Sequence, residues 1–271
     1  MSGIWKRVMI EFVNLEDIKN IAKTAGDEIR KIYKKDFTIE HKNDSSPLTE
    51  ADKKSNEIIC SSLEKLYPNI PILSEENKEV LYEDRKGWEY YWCIDPIDGT
   101  KEFIKKNDEF TVNIALIHKN IPVLGIVYAP AIDKMYSAKK GYGAYLNDKK
   151  LPLVKENDNF TVIASKSHLS DETQKFIDDL KNTYSSLTIS SKGSSLKLCM
   201  IADGSADIYP RIAPTMEWDT AAAHAIVLES GKNVYQYDDN ISALNYVKEN
   251  SKLKPLVYNK VNLLNPYFVV V

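Results

Sequence analysis

The chain has 271 residues, of which 43% are hydrophobic and 28% are charged, and its formal net charge is −3. This length allows one large domain or two small ones closely packed, and the composition is ordinary for a globular protein. The charge argues against a general polyanion binder such as a nucleic-acid-binding protein. A phosphate ligand would therefore need local positive charge or a metal ion.

Cysteine usage indicates a reduced, cytoplasmic compartment. Cys60, Cys93 and Cys199 are odd in number and far apart, so they predict no disulfide framework. No apolar run approaches the roughly 20 residues that a membrane span needs. Residues 1–13 lack the apolar core and the cleavage site of a signal peptide. They are interpreted as a partly disordered leader, with weak peripheral contact at the inner face of the cell membrane as the alternative.

The first half predicts two helices followed by a largely antiparallel sheet. Apolar residues recur at intervals of three and four from Asn14 to Lys35, and Asn14 can cap this helix. A second helix is predicted from Leu48 to Tyr67, and the polar segment 78–87 is predicted to be a loop. The apolar run from Tyr90 to Ile94 predicts a strand. Further strands are predicted at residues 110–118, 121–128 and 134–146.

The second half alternates strands and helices, which is typical of an α/β layer. Strands are predicted at residues 161–164, 187–190, 207–209, 256–259 and 268–271. Helices are predicted at residues 171–182, 196–202 and 220–230, the last closed by Gly231. We therefore predict an α/β protein, α+β overall, with an N-terminal α+β metal-binding half (1–148) and a C-terminal α/β substrate-binding half (149–271).

One short stretch combines groups suited to a metal and to an anion. Asp95 and Asp98 follow the apolar strand, and Gly99 and Thr100 come next. Carboxylates at a tight turn suit a hard metal ion, and a Gly-Thr pair can offer N–H groups and a hydroxyl to an anion. The ordinary alternative is that both aspartates only form the turn.

Two further carboxylates are candidate metal ligands. Glu75 ends a short strand, and Asp219 lies at the start of the alanine-rich helix. Taken alone, Glu75 is better explained as a solvated residue and Asp219 as a helix N-terminal residue favoured by the dipole. If they converge on the aspartates, carboxylates about 4 Å apart repel by roughly 4 kcal/mol at an effective dielectric near 20. A proton or a cation must then neutralise the site.

All-oxygen ligation selects Mg²⁺, Mn²⁺ or Ca²⁺ rather than zinc. Zinc spacing is absent from the four histidines, His41, His118, His168 and His224.

Four motifs follow one another along the chain: Pro47-Leu48-Thr49-Glu50-Ala51-Asp52, Ser74-Glu75-Glu76, Asp95-Pro96-Ile97-Asp98-Gly99-Thr100 and Glu217-Trp218-Asp219-Thr220-Ala221-Ala222. Together they resemble the motif set of the inositol monophosphatase superfamily of lithium-sensitive, Mg²⁺-dependent phosphatases, over nearly the whole chain. The run Gly99-Thr100-Lys101-Glu102-Phe103 resembles the CysQ-type 3′(2′),5′-bisphosphate nucleotidases, because inositol monophosphatases more often have Asn before the Phe. Gly231-Lys232 departs from the Gly-Gly that the family often has.

The resemblance implies a layered α/β/α/β/α sandwich of the inositol monophosphatase/fructose-1,6-bisphosphatase type, with the active site between the halves. It implies hydrolysis of the 3′-phosphate of adenosine 3′,5′-bisphosphate to AMP and phosphate, which in bacteria clears a by-product of sulfate assimilation. One alternative is a phosphatase of inositol monophosphate or another sugar phosphate. Another is a non-catalytic nucleotide-binding sensor. The sequence does not decide whether the protein is a monomer or a homodimer.

The resemblance also implies metal ligands. Glu75, Asp95 and the backbone carbonyl of Ile97 would hold one Mg²⁺. Asp95, Asp98 and Asp219 would hold a second. A third, more weakly bound ion would be coordinated by Glu75 and water. Mn²⁺ would be able to substitute for Mg²⁺.

By the same resemblance, Asp52 and Thr100 would form a dyad that orients and deprotonates the attacking water. The alternative for Asp52 is structural, because Thr49-x-x-Asp52 is also a capping-box pattern. The N–H groups of Gly99 and Thr100 would meet the phosphate oxygens.

The substrate's nucleoside end is expected against the second half. By resemblance, Ser194, Lys197 and Arg211 would meet the second phosphate and the sugar, with His168 and Tyr209 near the base. Arginine can bind a phosphate bidentately. The alternatives are that Lys197 is a solvated helix residue and His168 a helix-entry residue. Lys101 and Glu217 complete the predicted substrate-binding set.

Overall fold

The computed structural model describes residues 10–41, 47–77, 80–153, 159–164, 170–249 and 252–271. Within these ranges the helices are α1 (Leu15–Tyr33), α2 (Glu50–Leu66), α3 (Tyr82–Arg85), α4 (Thr100–Ile104), α5 (Asp171–Lys181), α6 (Leu196–Ala202), α7 (Glu217–Glu229) and α8 (Ala243–Lys248). The strands are β1 (Ile39–His41), β2 (Pro47–Thr49), β3 (Ile72–Ser74), β4 (Tyr90–Asp98), β5 (Thr111–His118), β6 (Ile121–Ala129), β7 (Lys134–Lys139), β8 (Gly143–Leu146), β9 (Lys149–Lys150), β10 (Phe160–Ile163), β11 (Leu187–Ser190), β12 (Tyr209–Arg211), β13 (Val234–Gln236) and β14 (Phe268–Val270).

The central sheet has seven strands in the order β3-β4-β5-β6-β7-β8-β9. β3 is parallel to β4, and the other neighbours are antiparallel. Because side chains along a strand alternate between the two faces, the apolar run of β4 serves both faces. Trp92 and Ile94 pack with α1 and α2, whereas Tyr91 and Cys93 pack with α6 and α7.

A second β layer lies beyond α6 and α7. It consists of the antiparallel sheet β12-β14-β13 and the parallel pair β10-β11, which a bridge between Val162 and Ile208 joins to it. Strand β14 alternates in the same way: Phe268 and Val270 pack with α6 and α7, while Val269 packs with α5 and α8. Each such fully buried side chain contributes roughly 1.5–3 kcal/mol. The predicted α/β/α/β/α layering is confirmed.

Some predicted boundaries differ from the structure. Leu48 and Thr49 pair with β1 as part of β2, so α2 begins only at Glu50. The predicted loop 78–87 contains the short helix α3. Residues 256–259, which the structure describes, form no strand. The N–H of Leu256 donates to Val234 of β13, but the N–H of Tyr258 donates to the carbonyl oxygen of Asn120 and that of Asn259 to the Glu217 carboxylate.

The division into halves at 148/149 stays a prediction. The central sheet continues through β9, and the hydrophobic cluster beneath it draws side chains from both halves. None of the described helices is both long enough and apolar enough to cross a membrane. The predicted leader falls largely on residues 1–9, which lie outside the described ranges.

Candidate active site

The turn at the end of β4 is built on a break in strand pairing. Asp95 lies opposite Asn113 of β5 and Asp98 lies opposite Thr111, so β4 has one extra residue between them. Residues three apart in a regular strand face opposite sides, and such a bulge removes that restriction. Oδ1 of Asp95 accepts a hydrogen bond of 3.1 Å from the N–H of Ile97, which holds the carboxylate over the turn.

Gly99 turns the chain from β4 into α4. Its φ is +91°, in the left-handed region that glycine adopts without strain. A Cβ at this position would lie 3.1 Å from the carbonyl oxygen of Glu109 and 3.3 Å from Cβ of Ser194. The backbone of Glu109 and the side chain of Ser194, from the second half, therefore pack closely on this turn.

Glu75 reaches the site because β3 runs parallel to β4. Ser74 pairs with Ile94, so Glu75 and Asp95 are the next residues on adjacent strands. The N–H of Glu75 donates to the carbonyl oxygen of Ile94 at 3.1 Å, which extends the parallel pairing to the acidic residue itself.

Asp219 arrives from the opposite side, at the start of α7. Its Oδ2 accepts a hydrogen bond of 2.7 Å from the N–H of Met216 and so caps the helix. Carboxylate oxygens of Glu75, Asp95 and Asp219 all lie within 4.8 Å of one another. Three of the four predicted metal carboxylates thus converge, although they come from parts of the chain far apart in sequence.

Asp98 lies beside this cluster. Its Oδ2 accepts hydrogen bonds from the backbone N–H of Ser195 and, at 3.5 Å, from Nδ2 of Asn113. Ser195 also donates from Oγ to Oδ1 of Asn113 at 2.9 Å and lies 2.8 Å from Oγ1 of Thr111. Sequence reasoning missed this support for Asp98. The polar residues Thr111 and Asn113 within an otherwise apolar strand were the available signal.

The acidic cluster is electrostatically costly. Burial raises the pKa of Asp95 well above its usual range, and the charge of Glu75 adds to the rise. Burial raises the pKa of Asp98 to about 6, against the opposing effects of Lys197 and the Ser195 N–H. Burial, followed by the charge of Asp98, raises the pKa of Asp219 to about 8. Carboxylates in these surroundings need a proton or a cation to offset their charge.

The donor set fits a hard divalent cation. In the part of the chain that the structure describes, the converging donors are carboxylate oxygens, with no His or Cys among them. Oxygen donors of this kind suit Mg²⁺, Mn²⁺ or Ca²⁺. The Ile97 carbonyl oxygen, predicted as a further ligand, lies 3.3 Å from Oγ1 of Thr100.

Asp52 has both of the roles that its motif allowed. Its Oδ2 accepts hydrogen bonds from the N–H and the hydroxyl of Thr49, at 2.7 and 2.5 Å, which caps α2. Its Oδ1 accepts a hydrogen bond of 3.2 Å from Oγ1 of Thr100. The carboxylate is buried, with 1% of Asp52 exposed. The predicted pairing of Asp52 and Thr100 is therefore present, and the helix cap holds it in place.

A cleft of about 470 Å³ opens beside the acidic cluster. Asp98 and Asp219 contribute to its lining, together with Gly99 of the turn. The same lining includes the predicted substrate residues Lys101, Ser194, Lys197, Tyr209 and Arg211. The structure thus brings two of the predicted metal ligands, Asp98 and Asp219, into one cavity with most of the predicted substrate residues.

Two buried polar atoms of the described cleft lining lack a partner. Oγ of Ser194 and Nε of Arg211 are buried and have no hydrogen-bond partner among the described residues. Buried polar atoms are normally paired, so these two are suited to a polar ligand. Burial lowers the pKa of Lys197, with Asp98 acting against the shift. Tyr209 is also buried, which raises its pKa to about 12.

Two predicted substrate residues that the structure describes, Thr100 and Glu217, are not among the residues that line this cavity. Glu217 is fully buried outside the described lining, where its carboxylate accepts hydrogen bonds from the N–H of Asn259 at 2.7 Å and from Nζ of Lys260 at 2.6 Å. These hydrogen bonds connect α7 to the C-terminal segment. The position of Glu217 therefore gives no support to a contact with the substrate. His168 lies outside the described residues, and its role stays a prediction.

Comparisons with known proteins agree with this architecture. The sequence profile of the "Inositol monophosphatase family" matches residues 13–265. The chain is 42% identical over 245 residues to the 3′(2′),5′-bisphosphate nucleotidase CysQ of Salmonella typhimurium, covering 89% of this chain and 97% of that protein. It is 35% identical over 263 residues to the protein of the same name from Haemophilus influenzae, covering 95% and 92%.

Among solved structures, CysQ from Bacteroides thetaiotaomicron, described as a bacterial member of the inositol monophosphatase family, aligns with a TM-score of 0.81 at 41% identity. That alignment covers 95% of this chain and 96% of the other. Inositol monophosphatase II from Staphylococcus aureus shares the fold, with a TM-score of 0.69 at 20% identity over 94% and 89% of the chains. Profile, sequence identity and fold agree that this chain belongs to the inositol monophosphatase family.

Proposed function

We propose that this chain is a Mg²⁺-dependent phosphatase that removes the 3′-phosphate of adenosine 3′,5′-bisphosphate, giving AMP and inorganic phosphate. The observation that carries the proposal is one cleft lined both by the carboxylates of Asp98 and Asp219 and by the cationic side chains of Lys197 and Arg211. The names of the curated relatives support the same activity.

The cleft suits a ligand with two phosphates. The carboxylate end can meet a phosphate only when divalent cations lie between the two sets of negative charge. The other end offers Lys197, the unpaired Nε of Arg211 and the unpaired Oγ of Ser194. Charge-assisted hydrogen bonds of this kind are suited to a phosphate that stays on the product.

We assign the metal sites to the acidic cluster. Glu75, Asp95 and the Ile97 carbonyl would hold one Mg²⁺, and Asp95, Asp98 and Asp219 a second, with a third, weaker site at Glu75 and water. Mn²⁺ would occupy the same donors. When bound, the cations would neutralise phosphate charge and make a neighbouring water more acidic.

The chain's own groups would position and deprotonate the attacking water. The Thr100 hydroxyl donates to Asp52, so its oxygen is free to accept a hydrogen bond from the attacking water. Asp52 would then take up the proton through the Thr100 hydroxyl, while its other oxygen stays bound to Thr49. The N–H groups of Gly99 and Thr100 would orient the phosphate.

An inositol monophosphatase is the nearest rival. A substrate with one phosphate would leave Nε of Arg211 and Oγ of Ser194 without a partner, which disfavours it, since unmet buried polar groups cost about 1–3 kcal/mol each. We assign the reaction to the cytoplasm, because Cys60, Cys93 and Cys199 are all free thiols, as is usual in a reducing compartment.

Product analysis tests the proposal. Incubation of the protein with adenosine 3′,5′-bisphosphate and Mg²⁺, followed by ³¹P NMR, should show loss of the 3′-phosphate resonance and growth of the inorganic phosphate and 5′-AMP resonances. Asp95→Asn should abolish phosphate release. Release of the 5′-phosphate, or no Mg²⁺-dependent release by the parent protein, would overturn the assignment. The second result would favour a non-catalytic sensor.

A further inference from the structure

One face of α2 contacts three separate parts of the acidic site. Asp52, Ser55 and Asn56 stand at helical positions i, i+3 and i+4, which lie on the same side of a helix. Asp52 holds Thr100, as described above. Ser55 is fully buried and donates from Oγ to the carbonyl oxygen of Pro96 at 2.8 Å, within the turn that separates the two aspartates of β4.

Asn56 contacts the remaining part, the turn that carries Glu75. Its Oδ1 accepts a hydrogen bond of 2.7 Å from Oγ of Ser74, and its Nδ2 donates to Oδ1 of Asn77 at 2.9 Å. The N–H of Asn77 donates to the carbonyl oxygen of Ser74 at 3.2 Å, which closes the turn. A single amide group therefore binds the first and the last residue of a four-residue turn, with Glu75 inside it.

Further bonds hold this arrangement on both sides. The thiol of Cys60, one helical turn along α2, lies 3.3 Å from Oδ1 of Asn56. Oγ of Ser74 also accepts a hydrogen bond of 3.4 Å from the N–H of Glu76. The contact with Cys60 of the same helix thus helps to orient the Asn56 amide towards the turn.

Glu75 needs such a constraint more than the other members of the cluster. Asp95 is buried in the interior of β4, and Asp219 is held by the first turn of α7. Glu75 follows the three-residue strand β3, which lies at the edge of the central sheet, and it is only half-buried. Holding a ligand in its binding geometry before the cation arrives lowers the entropic cost of binding.

We propose that Asn56 is a positioning residue that sets the Glu75 carboxylate against those of Asp95 and Asp219 and thereby determines the affinity for the divalent cation. The proposal rests on the assignment of Glu75 as a metal ligand under the proposed function. Groups that hydrogen-bond to a metal ligand typically change metal affinity by about 10–100-fold when they are mutated, and Asn56, which acts on Glu75 through the bonds to Ser74 and Asn77, is expected at the lower end of this range. Asn56 does not line the cleft, so its effect should appear in metal binding rather than in the chemical step.

The test is calorimetric titration of Mn²⁺ into the full-length, chelator-treated protein. Asn56→Ala should raise the dissociation constant about tenfold. Ser74→Ala should raise it as well, and the double variant should bind Mn²⁺ about as weakly as Asn56→Ala alone, because Asn56→Ala already removes the bond to Ser74. Asn20→Ala, the same substitution at an exposed position of α1, is the matched control and should bind Mn²⁺ like the parent. At saturating Mg²⁺, kcat of Asn56→Ala should stay within about twofold of the parent.

Parent-like Mn²⁺ affinity of Asn56→Ala would overturn the proposal, as would independent, multiplying effects of the two single variants. If Asn56→Ala fails to fold, Ser74→Ala alone decides, because it removes the same contact from the turn side. A parent that binds Mn²⁺ but cleaves no nucleotide would refute the proposed function and leave the role of Asn56 standing. A parent that cleaves the nucleotide, with unchanged metal affinity in the variants, would refute the role of Asn56 alone.

Discussion

Oγ1 of Thr100 lies 3.2 Å from Oδ1 of Asp52, while Oδ2 of the same carboxylate accepts the N–H of Thr49 at 2.7 Å. One carboxylate therefore caps α2 and holds a hydroxyl next to the acidic cluster. A helix cap is a rigid anchor, since it satisfies a backbone N–H that has no partner within the helix. This pairing connects the fold of the N-terminal helices directly to the chemistry proposed for the site.

Thr100→Ala should lower kcat by at least about 100-fold while leaving Mg²⁺ affinity within about threefold. The variant removes a hydroxyl that orients and relays a proton, and such groups contribute about 10²–10⁴-fold. It leaves the carboxylates of the cluster in place. Steady-state kinetics at saturating Mg²⁺, together with calorimetric Mg²⁺ titration, measure the two quantities separately.

Thr100→Ser is the matched control, because it keeps the hydroxyl and should retain most of the activity. A large loss of Mg²⁺ affinity in Thr100→Ala would argue that Thr100 supports the metal site rather than the attacking water.

The metal-free protein should become less stable as pH rises from about 4 to about 8. Burial raises the pKa of Asp98 to about 6 and that of Asp219 to about 8, whereas unfolded aspartates titrate near 3.9. Between these values the folded state binds more protons than the unfolded state, so the free energy of unfolding falls with rising pH. Thermal unfolding in a chelating buffer at several pH values measures the trend.

Mg²⁺ should reverse this trend, because it offsets the charge that the protons otherwise neutralise. The increase in Tm on adding Mg²⁺ should therefore be larger at pH 8 than at pH 5. An increase that is equal at both pH values would show that the carboxylates of the cluster do not bind the cation.

Arg211→Ala should raise KM for adenosine 3′,5′-bisphosphate by at least about tenfold, with a smaller effect on a substrate that has one phosphate. A hydrogen bond to a charged group contributes about 1.5–3 kcal/mol, and 1.4 kcal/mol corresponds to a factor of ten. Kinetics on both substrates give the comparison. Lys140→Ala, at an exposed position outside the described cleft lining, serves as the control. Equal losses on the two substrates would indicate that Arg211 does not meet the second phosphate.

Glu217→Ala should destabilise the fold by about 3 kcal/mol with little change in KM. The carboxylate is fully buried and pairs with Lys260, and removing one partner of a buried pair costs about 3–5 kcal/mol. The lower value applies here because the Lys260 side chain is 23% exposed and can be partly solvated. Urea unfolding measures the loss. Unchanged stability together with a raised KM would instead support the predicted contact between Glu217 and the substrate.

Local patterns predicted the elements that depend on local interactions. The three- and four-residue periodicity gave α1, and Oδ1 of Asn14 accepts the N–H of Glu16 as a helix cap should. Strand β2 was missed because Pro47, Leu48 and Thr49 are extended only through pairing with β1. The strand predicted at residues 256–259 is wrong for a related reason, since the N–H groups of Tyr258 and Asn259 donate to Asn120 and to the buried carboxylate of Glu217 instead of to a neighbouring strand.

For the site, the motifs identified the carboxylates but not their directions. Glu217 and Asp219 are two positions apart on α7, which places their side chains about 200° apart around the helix axis. Asp219 therefore meets the cluster while Glu217 is directed into the interior. The roles of Ser55 and Asn56 in holding the turns were also invisible in sequence, because each depends on a contact between distant segments.

The most direct test of the central claim is the ratio of kcat/KM for adenosine 3′,5′-bisphosphate to that for inositol 1-phosphate, measured at saturating Mg²⁺. Two charge-assisted contacts to the second phosphate, at about 1.5 kcal/mol or more each, predict a preference of at least about 100-fold for the nucleotide. A ratio near one, or a preference for inositol 1-phosphate, would contradict the account.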